Sequence, residues 1–137
     1  MDNSSQKYIR SLIRRILSEY LTPSDLETIE HNADEIFSDV GVDIDFSSHF
    51  LDRANDPRNG KEVEPEELNN LFVKTKNKYG TYLKNMPRDS ERVVNDTKTA
   101  LNVPIIAVDK TPSKNTIRAK TIIRKKDFTT SNPKLKV

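Results

Sequence analysis

Apolar residues change their spacing along this chain. From residue 6 to about residue 80 they recur at i, i+3 and i+4, the period of a helix with one buried face. From Val103 onward they fall in short runs rich in isoleucine and valine, separated by turn residues, as strands do. Helices first and strands last point to an α+β domain. The expected layout is an N-terminal helical hairpin followed by helices packed on a small antiparallel C-terminal sheet. A length of 137 residues is one domain's worth of chain.

The segment 6–20, QKYIRSLIRRILSEY, reads as a helix with Ile9, Leu12, Ile13, Ile16 and Leu17 on one face and Lys7, Arg10, Arg14 and Arg15 on the other. Thr22-Pro23 breaks it, and Ser24 is the expected N-cap of a second helix, with Glu27 completing a capping box. Leu26, Ile29, Ala33, Ile36 and Phe37 form its apolar stripe, and Gly41 ends it. Residues 42–46 alternate, as a short strand or an extended segment would. Ser47 opens a short helix containing His49, Phe50, Leu51 and Arg53, which Asp56-Pro57 stops. Pro65, followed by Glu66 and Glu67, starts a helix expected to end at Gly80. Residues 88–101 suit either a helix or a strand. Residues 103–108 and 116–124 read as two strands joined by the turn DKTPSKN. The expected divisions are an amphipathic helix or leader at 1–22, one α+β domain at 23–128 and a tail at 129–137.

Composition narrows the function classes. The hydrophobic fraction is 34% and the charged fraction 32%, so part of the chain is expected to be exposed helix or tail rather than core. With no cysteine, disulfides, thiolate chemistry and cysteine-based zinc sites are excluded. The apolar runs are too short for a membrane span, and arginines interrupt SLIRRIL where a signal peptide needs an apolar core. A protein inside a cell or enclosed in a particle, with no membrane partner, is the expectation. The net charge of +2 hides a polarity: residues 25–45 carry eight acids and no Lys or Arg, whereas residues 110–137 carry nine Lys or Arg and one acid, Asp127. That basic end is a candidate surface for a polyanion such as RNA or DNA; an edge strand shielded by lysines has the same composition.

Within it, strand alternation puts Arg118, Lys120 and Arg124 on one face, continued by Lys125 and Lys126, where they could follow a phosphate backbone. The other candidate site lies in FSSHFLDRANDPRNGKEV, residues 46–63. His49 and Arg53 are four apart and share a helix face, Phe50 and Leu51 anchor that helix, and Arg58 follows in the turn. An imidazole can move a proton near neutrality and guanidinium groups can hold phosphoryl oxygens. A phosphodiester site needs those groups, and no metal if an RNA 2′-hydroxyl attacks. The alternative is structural, with Arg53 paired to Asp52, Asp56 or a helix end. His31, set among Glu27, Glu30, Asp34 and Glu35, reads as an exposed acidic helix face, not a metal site, since one helix supplies too few convergent ligands. Glycines at 41, 60 and 80 make no phosphate-binding loop. No cofactor is expected.

The blocks HFLDRANDPRNGKEV, NVPIIAV and AKTIIRKKDF resemble a small protein family of tailed phages, over about residues 44–137. The layout, a helix with His-x-x-x-Arg, then a helix and a terminal sheet, is similar to the barnase–colicin–RelE class of metal-independent ribonucleases. That similarity implies that His49, Arg53, Arg58 and Thr121 gather at the sheet as a catalytic group, although a second general base is missing from the pattern. The N-terminal IRSLIRRILSE resembles the basic leaders of phage head proteins, which end in a Leu-x-Glu cleavage signal, here Leu17-Ser18-Glu19. The resemblances imply a virion-associated protein, in the phage head or the host cytoplasm, that binds a polyanion or a capsid partner. They also leave open a ribonuclease-like effector, or an assembly factor docking through its first helix.

Overall fold

The computed structural model describes residues 20–137. The first arm of the expected hairpin, with Leu17 and Glu19, lies outside the described residues. The second arm is α1, Pro23–Phe37. Its cap is Thr22 rather than Ser24: the Thr22 hydroxyl accepts from Asp25 N, and the Asp25 carboxylate accepts from Thr22 N. Pro23 therefore opens the helix at a position where its missing N–H is harmless. Ile29, Ala33 and Phe37 are its buried stripe. A 3₁₀ turn, Ser38–Val40, leads to Gly41, whose φ of 72° is left-handed. A Cβ there would sit 2.8 Å from the Ser113 carbonyl, so only glycine fits.

The chain then enters the sheet as β1, Val42–Phe46, and leaves it for the short helix α2, Phe50–Ala54, and a 3₁₀ turn, Pro57–Asn59. The long helix α3, Pro65–Lys84, begins at Pro65 as expected, with Glu64 and Glu67 in a capping box. It does not stop at Gly80. Tyr79 departs from helical geometry, but the helix continues for another turn, and Gly80 is buried against Val40, where a Cβ would approach to 3.4 Å. The glycine serves close packing rather than termination.

Five more strands follow α3: β2, Glu91–Asn95; β3, Leu101–Lys110; β4, Asn115–Ala119; β5, Ile123–Arg124; and β6, Lys134–Lys136. They complete one sheet in the order β1-β4-β3-β2-β6, with β5 beside β3. The architecture is α+β, but the sheet is mixed, not antiparallel. β1 runs parallel to β4 and β6 parallel to β2. The expected tail at 129–137 ends in β6, whose Leu135 is buried in the core. Residues 88–101 resolve into β2 and a turn.

The helices cover one face. Ile44, Ile117, Leu101, Val103, Ile105, Val94 and Leu135 point to it and join Ile29, Phe37, Leu68, Leu71 and Phe72 in one core. The other face carries Asp45, Arg118, Ile106 and Glu91 in successive register across β1, β4, β3 and β2. Asparagines act as joints between elements. Asn115 donates to the Leu83 and Met86 carbonyls at the end of α3, and Asn55 exchanges two hydrogen bonds with the Leu21 backbone. Each replaces a backbone partner that irregular chain cannot supply.

Candidate functional site

Beyond β1 the chain does not continue along the sheet edge. Ser47 donates its N–H to the Ala119 carbonyl and its hydroxyl to the Lys120 carbonyl, and the backbone then turns into α2. Phe46 and Phe50, on either side of that turn, pack with ring centroids 4.6 Å apart, and Phe72 lies 6.0 Å from Phe46. This aromatic cluster fixes how α2 sits: Phe50 and Ala54 face inward, so His49 and Arg53 face out. His49 is the helix N-cap residue and its side chain makes no capping bond.

The turn after α2 is held from both sides. The buried Asn59 side chain donates to the Arg53 and Ala54 carbonyls, closing the end of α2, and accepts from Arg124 N on β5. Asp56 Oδ1 accepts from Arg58 N at 2.9 Å, while its Oδ2 lies 3.1 Å from Arg58 Nε, 3.0 Å from Arg58 Nη2 and 4.0 Å from Arg53 Nη1. The Arg58 backbone N–H and guanidinium hold the Asp56 carboxyl below its ordinary range. The structural alternative for Arg53, a contact with Asp56, is thus present alongside its exposure.

The opposite wall comes from an irregularity between β4 and β5. Ala119 pairs with Ile105 and Ile123 with Asn102, so three residues, Lys120 to Ile122, stand opposite two, Val103 and Pro104. Pro104 cannot donate a ladder bond, and the extra residue makes a bulge. Lys120 N bonds the Pro104 carbonyl, Ile122 turns into the core, and the phase of the strand shifts by one. Arg124 now pairs with Leu101 on the core side. After Lys125 the chain reverses at Asp127, at a φ of 53°, and crosses the open face of β3 and β2 to reach Pro133, whose carbonyl accepts from Val93 N. Phe128 lies on that crossover.

Between these walls is a cleft of about 400 Å³. His49, Arg53, Arg58, Lys120 and Thr121 supply the basic and polar part of its lining, and Pro104, Ile122, Ile123 and Phe128 the apolar part. The four residues expected to gather, His49, Arg53, Arg58 and Thr121, do line one cavity. The basic strand does not act as one face. Arg118 forks onto Asp45 at 2.9 and 3.1 Å, and Lys120 pairs with Glu91 across the open face. Arg124, expected beside them, is a correction: its guanidinium forks onto Glu67 at 2.8 and 2.9 Å and donates to the Thr99 and Glu62 carbonyls, with 12% of its side chain exposed. The one-residue bulge inverts the alternation that sequence spacing assumes. Lys125 and Lys126 are exposed and do not line the cleft.

Phe128 was not singled out by spacing; an aromatic directly after Lys-Lys-Asp was the available signal, as was the proline inside a strand for the bulge. His31 lies 3.4 Å from Glu35 on an exposed helix face, and no cluster of three metal-ligating side chains occurs among the described residues. No helix among them is long and apolar enough to cross a membrane. No family model matches the chain, and neither a curated protein nor a solved structure matches it.

Proposed function

We propose that the protein is a polyanion-binding module and that the cleft between α2 and the β4–β5 bulge takes the phosphate groups. One observation carries this reading: His49, Arg53, Arg58 and Lys120, from two separate segments, line the same cavity. Arg53, Arg58 and Lys120 are charged at neutral pH, and no carboxylate lines the cleft. A phosphate entering there exchanges with Asp56 for the Arg58 fork, trading one charge-assisted pair for another. The resemblance to a tailed-phage family is the ground for proposing a phage particle, or the infected cell, as the setting.

The test is fluorescence anisotropy of labelled oligonucleotides with the full chain over a range of salt. With two phosphates engaged, log affinity should fall with log salt at a slope of about −1.4 on a single strand. The double substitution Arg53→Ala and Arg58→Ala should remove most binding and flatten that slope. Binding unchanged by the double substitution would refute the reading.

A second reading follows from the imidazole. His49 stands in the cleft beside Thr121 and two guanidinium groups, the parts of a site that cleaves RNA through its own 2′-hydroxyl. Such cleavage needs one group to take a proton and another to give one, and the cleft holds a single imidazole, which is why binding is the leading reading. End-labelled RNA incubated with wild type and with His49→Ala decides it: cleavage by wild type alone supports catalysis, and intact RNA with both excludes it for the RNAs tried.

A further inference from the structure

The cleft has a mixed lining, and its apolar residues are not needed to hold phosphate. Pro104, Ile123 and Phe128 line it together with the arginines. A site for bare polyphosphate or for a duplex backbone has no use for an aromatic ring there, because a duplex presents only phosphate and sugar to a surface of this size and keeps its base faces covered. An unpaired nucleotide presents both chemistries at once: an anionic phosphodiester and a flat apolar base, which sequence-tolerant single-strand binders stack on aromatic side chains.

The position of Phe128 suits this use. It is half-buried, on the crossover that leaves β5 after Lys125 and Lys126 and reverses at Asp127. The crossover is fixed at both ends. Asn102, itself fully buried, donates to the Ile123 and Lys125 carbonyls before Phe128, and Val93 N donates to the Pro133 carbonyl after it. The crossover therefore holds Phe128 in the lining of the cavity that Pro104 and the two arginines also line. A cavity of about 400 Å³ is at the small end of ligand sites, matched to one nucleotide at a time.

We infer that the ligand is a single-stranded nucleic acid, with one unpaired base against Phe128 and the adjoining phosphate at Arg53 and Arg58. This inference rests on the reading of the cleft as a phosphate site. The experiment compares five probes against the full chain at one salt concentration: a short labelled RNA strand, the same sequence as DNA, its duplex, an abasic backbone of equal length, and inorganic polyphosphate. The RNA or DNA strand should bind about 5- to 100-fold more tightly than the abasic backbone, the gain expected from one stacked base. It should also bind more tightly than the duplex. Phe128→Leu, which keeps apolar bulk and removes the ring, should bring strand and abasic affinities together. Equal affinity for strand, abasic backbone and polyphosphate would overturn stacking while leaving the phosphate site intact. Failure of every probe to bind would overturn both. The abasic comparison uses the wild-type chain, so it decides the matter even if the Phe128 variant does not fold.

Discussion

Arg58 and Arg124 each set a guanidinium fork on a carboxylate, Asp56 in one case and Glu67 in the other, yet the two pairs do different work. The Arg124–Glu67 pair is enclosed: 12% and 14% of the side chains are exposed, and the Thr99 and Glu62 carbonyls accept further bonds from Nη1 and Nη2. The Arg58–Asp56 pair has 63% and 25% exposed, and its arginine lines the cavity. Residue type is the same; burial decides. An enclosed charge that loses its partner has no water to turn to, so the pair is structural. An exposed guanidinium exchanges its partner for water or for a ligand anion at little cost, so it is available.

The strongest test of that contrast is stability. Arg124→Ala leaves Glu67 ionised and partly buried and removes the bridge from β5 to the start of α3. It should lower unfolding free energy by about 3 kcal/mol in urea titrations, whereas Arg58→Ala should leave the transition midpoint nearly unchanged. Equal losses would show that burial does not separate the two pairs.

Next in size is Asn59→Ala. It strips partners from the Arg53 and Ala54 carbonyls and the Arg124 N–H, and should cost about 1–3 kcal/mol. It should also loosen the turn carrying Arg58, so phosphate binding should weaken although Asn59 does not line the cleft. Stability lost with binding intact would mean that the turn needs no support from β5.

Two carboxylates sharpen the comparison through pH. Burial raises the Glu67 pKa, but the Arg124 fork, the Glu64 N–H and Lys61 outweigh it and hold the carboxyl below its ordinary value. Its contribution to stability is present above the unfolded-state pKa and is lost as pH falls through the lower folded value. Asp34 has no arginine. Burial and a hydrogen bond shared with the Asp43 carboxyl push it up to about 6, against the lowering effect of the Ile44 N–H. Its contribution is present below the ordinary aspartate value of 3.8 and is lost as pH rises through about 6. Asp34→Asn keeps an oxygen for Ile44 N, so it should stabilise the protein at pH 7 and not at pH 4; Glu67→Gln should destabilise it most at neutral pH. Urea midpoints across that range check both signs, and parallel pH profiles would contradict them.

The smallest effect is expected at Asp56→Asn. The amide oxygen can still accept from Arg58 N, but the competing charge is gone. Anion affinity should rise a few-fold with stability unchanged; a fall in affinity would mean that Asp56 positions Arg58 rather than competing for it.

The features legible in the sequence are those with a local cause. The Ile29, Ala33, Phe37 stripe, the Pro65 start and the inward anchor at Phe50 follow from periodicity and backbone chemistry within a few residues, and so does the shared face of His49 and Arg53. What was missed depends on distant partners. Gly80 looks like a helix stop until Val40 is seen against it. Arg124 alternates onto the wrong face because Pro104, twenty residues earlier in the chain, forces a bulge. β6 contributes one apolar residue, Leu135, between two lysines, too short to show any period; only the open edge of β2 makes it a strand. β2 itself has adjacent valines, Val93 and Val94, buried on opposite faces, so no alternation marks it.

The pairing of β1 with β4 and of Ser47 with Lys120, 73 positions apart, also orders events during synthesis. A chain emerging from the ribosome presents α1, β1, α2 and α3 long before the strands that complete them. The histidine and arginines of the cleft are made early, but Lys120, Thr121 and Phe128, which line it with them, come more than sixty residues later. A nascent chain that has not yet reached Phe128 therefore lacks part of the lining of this cleft.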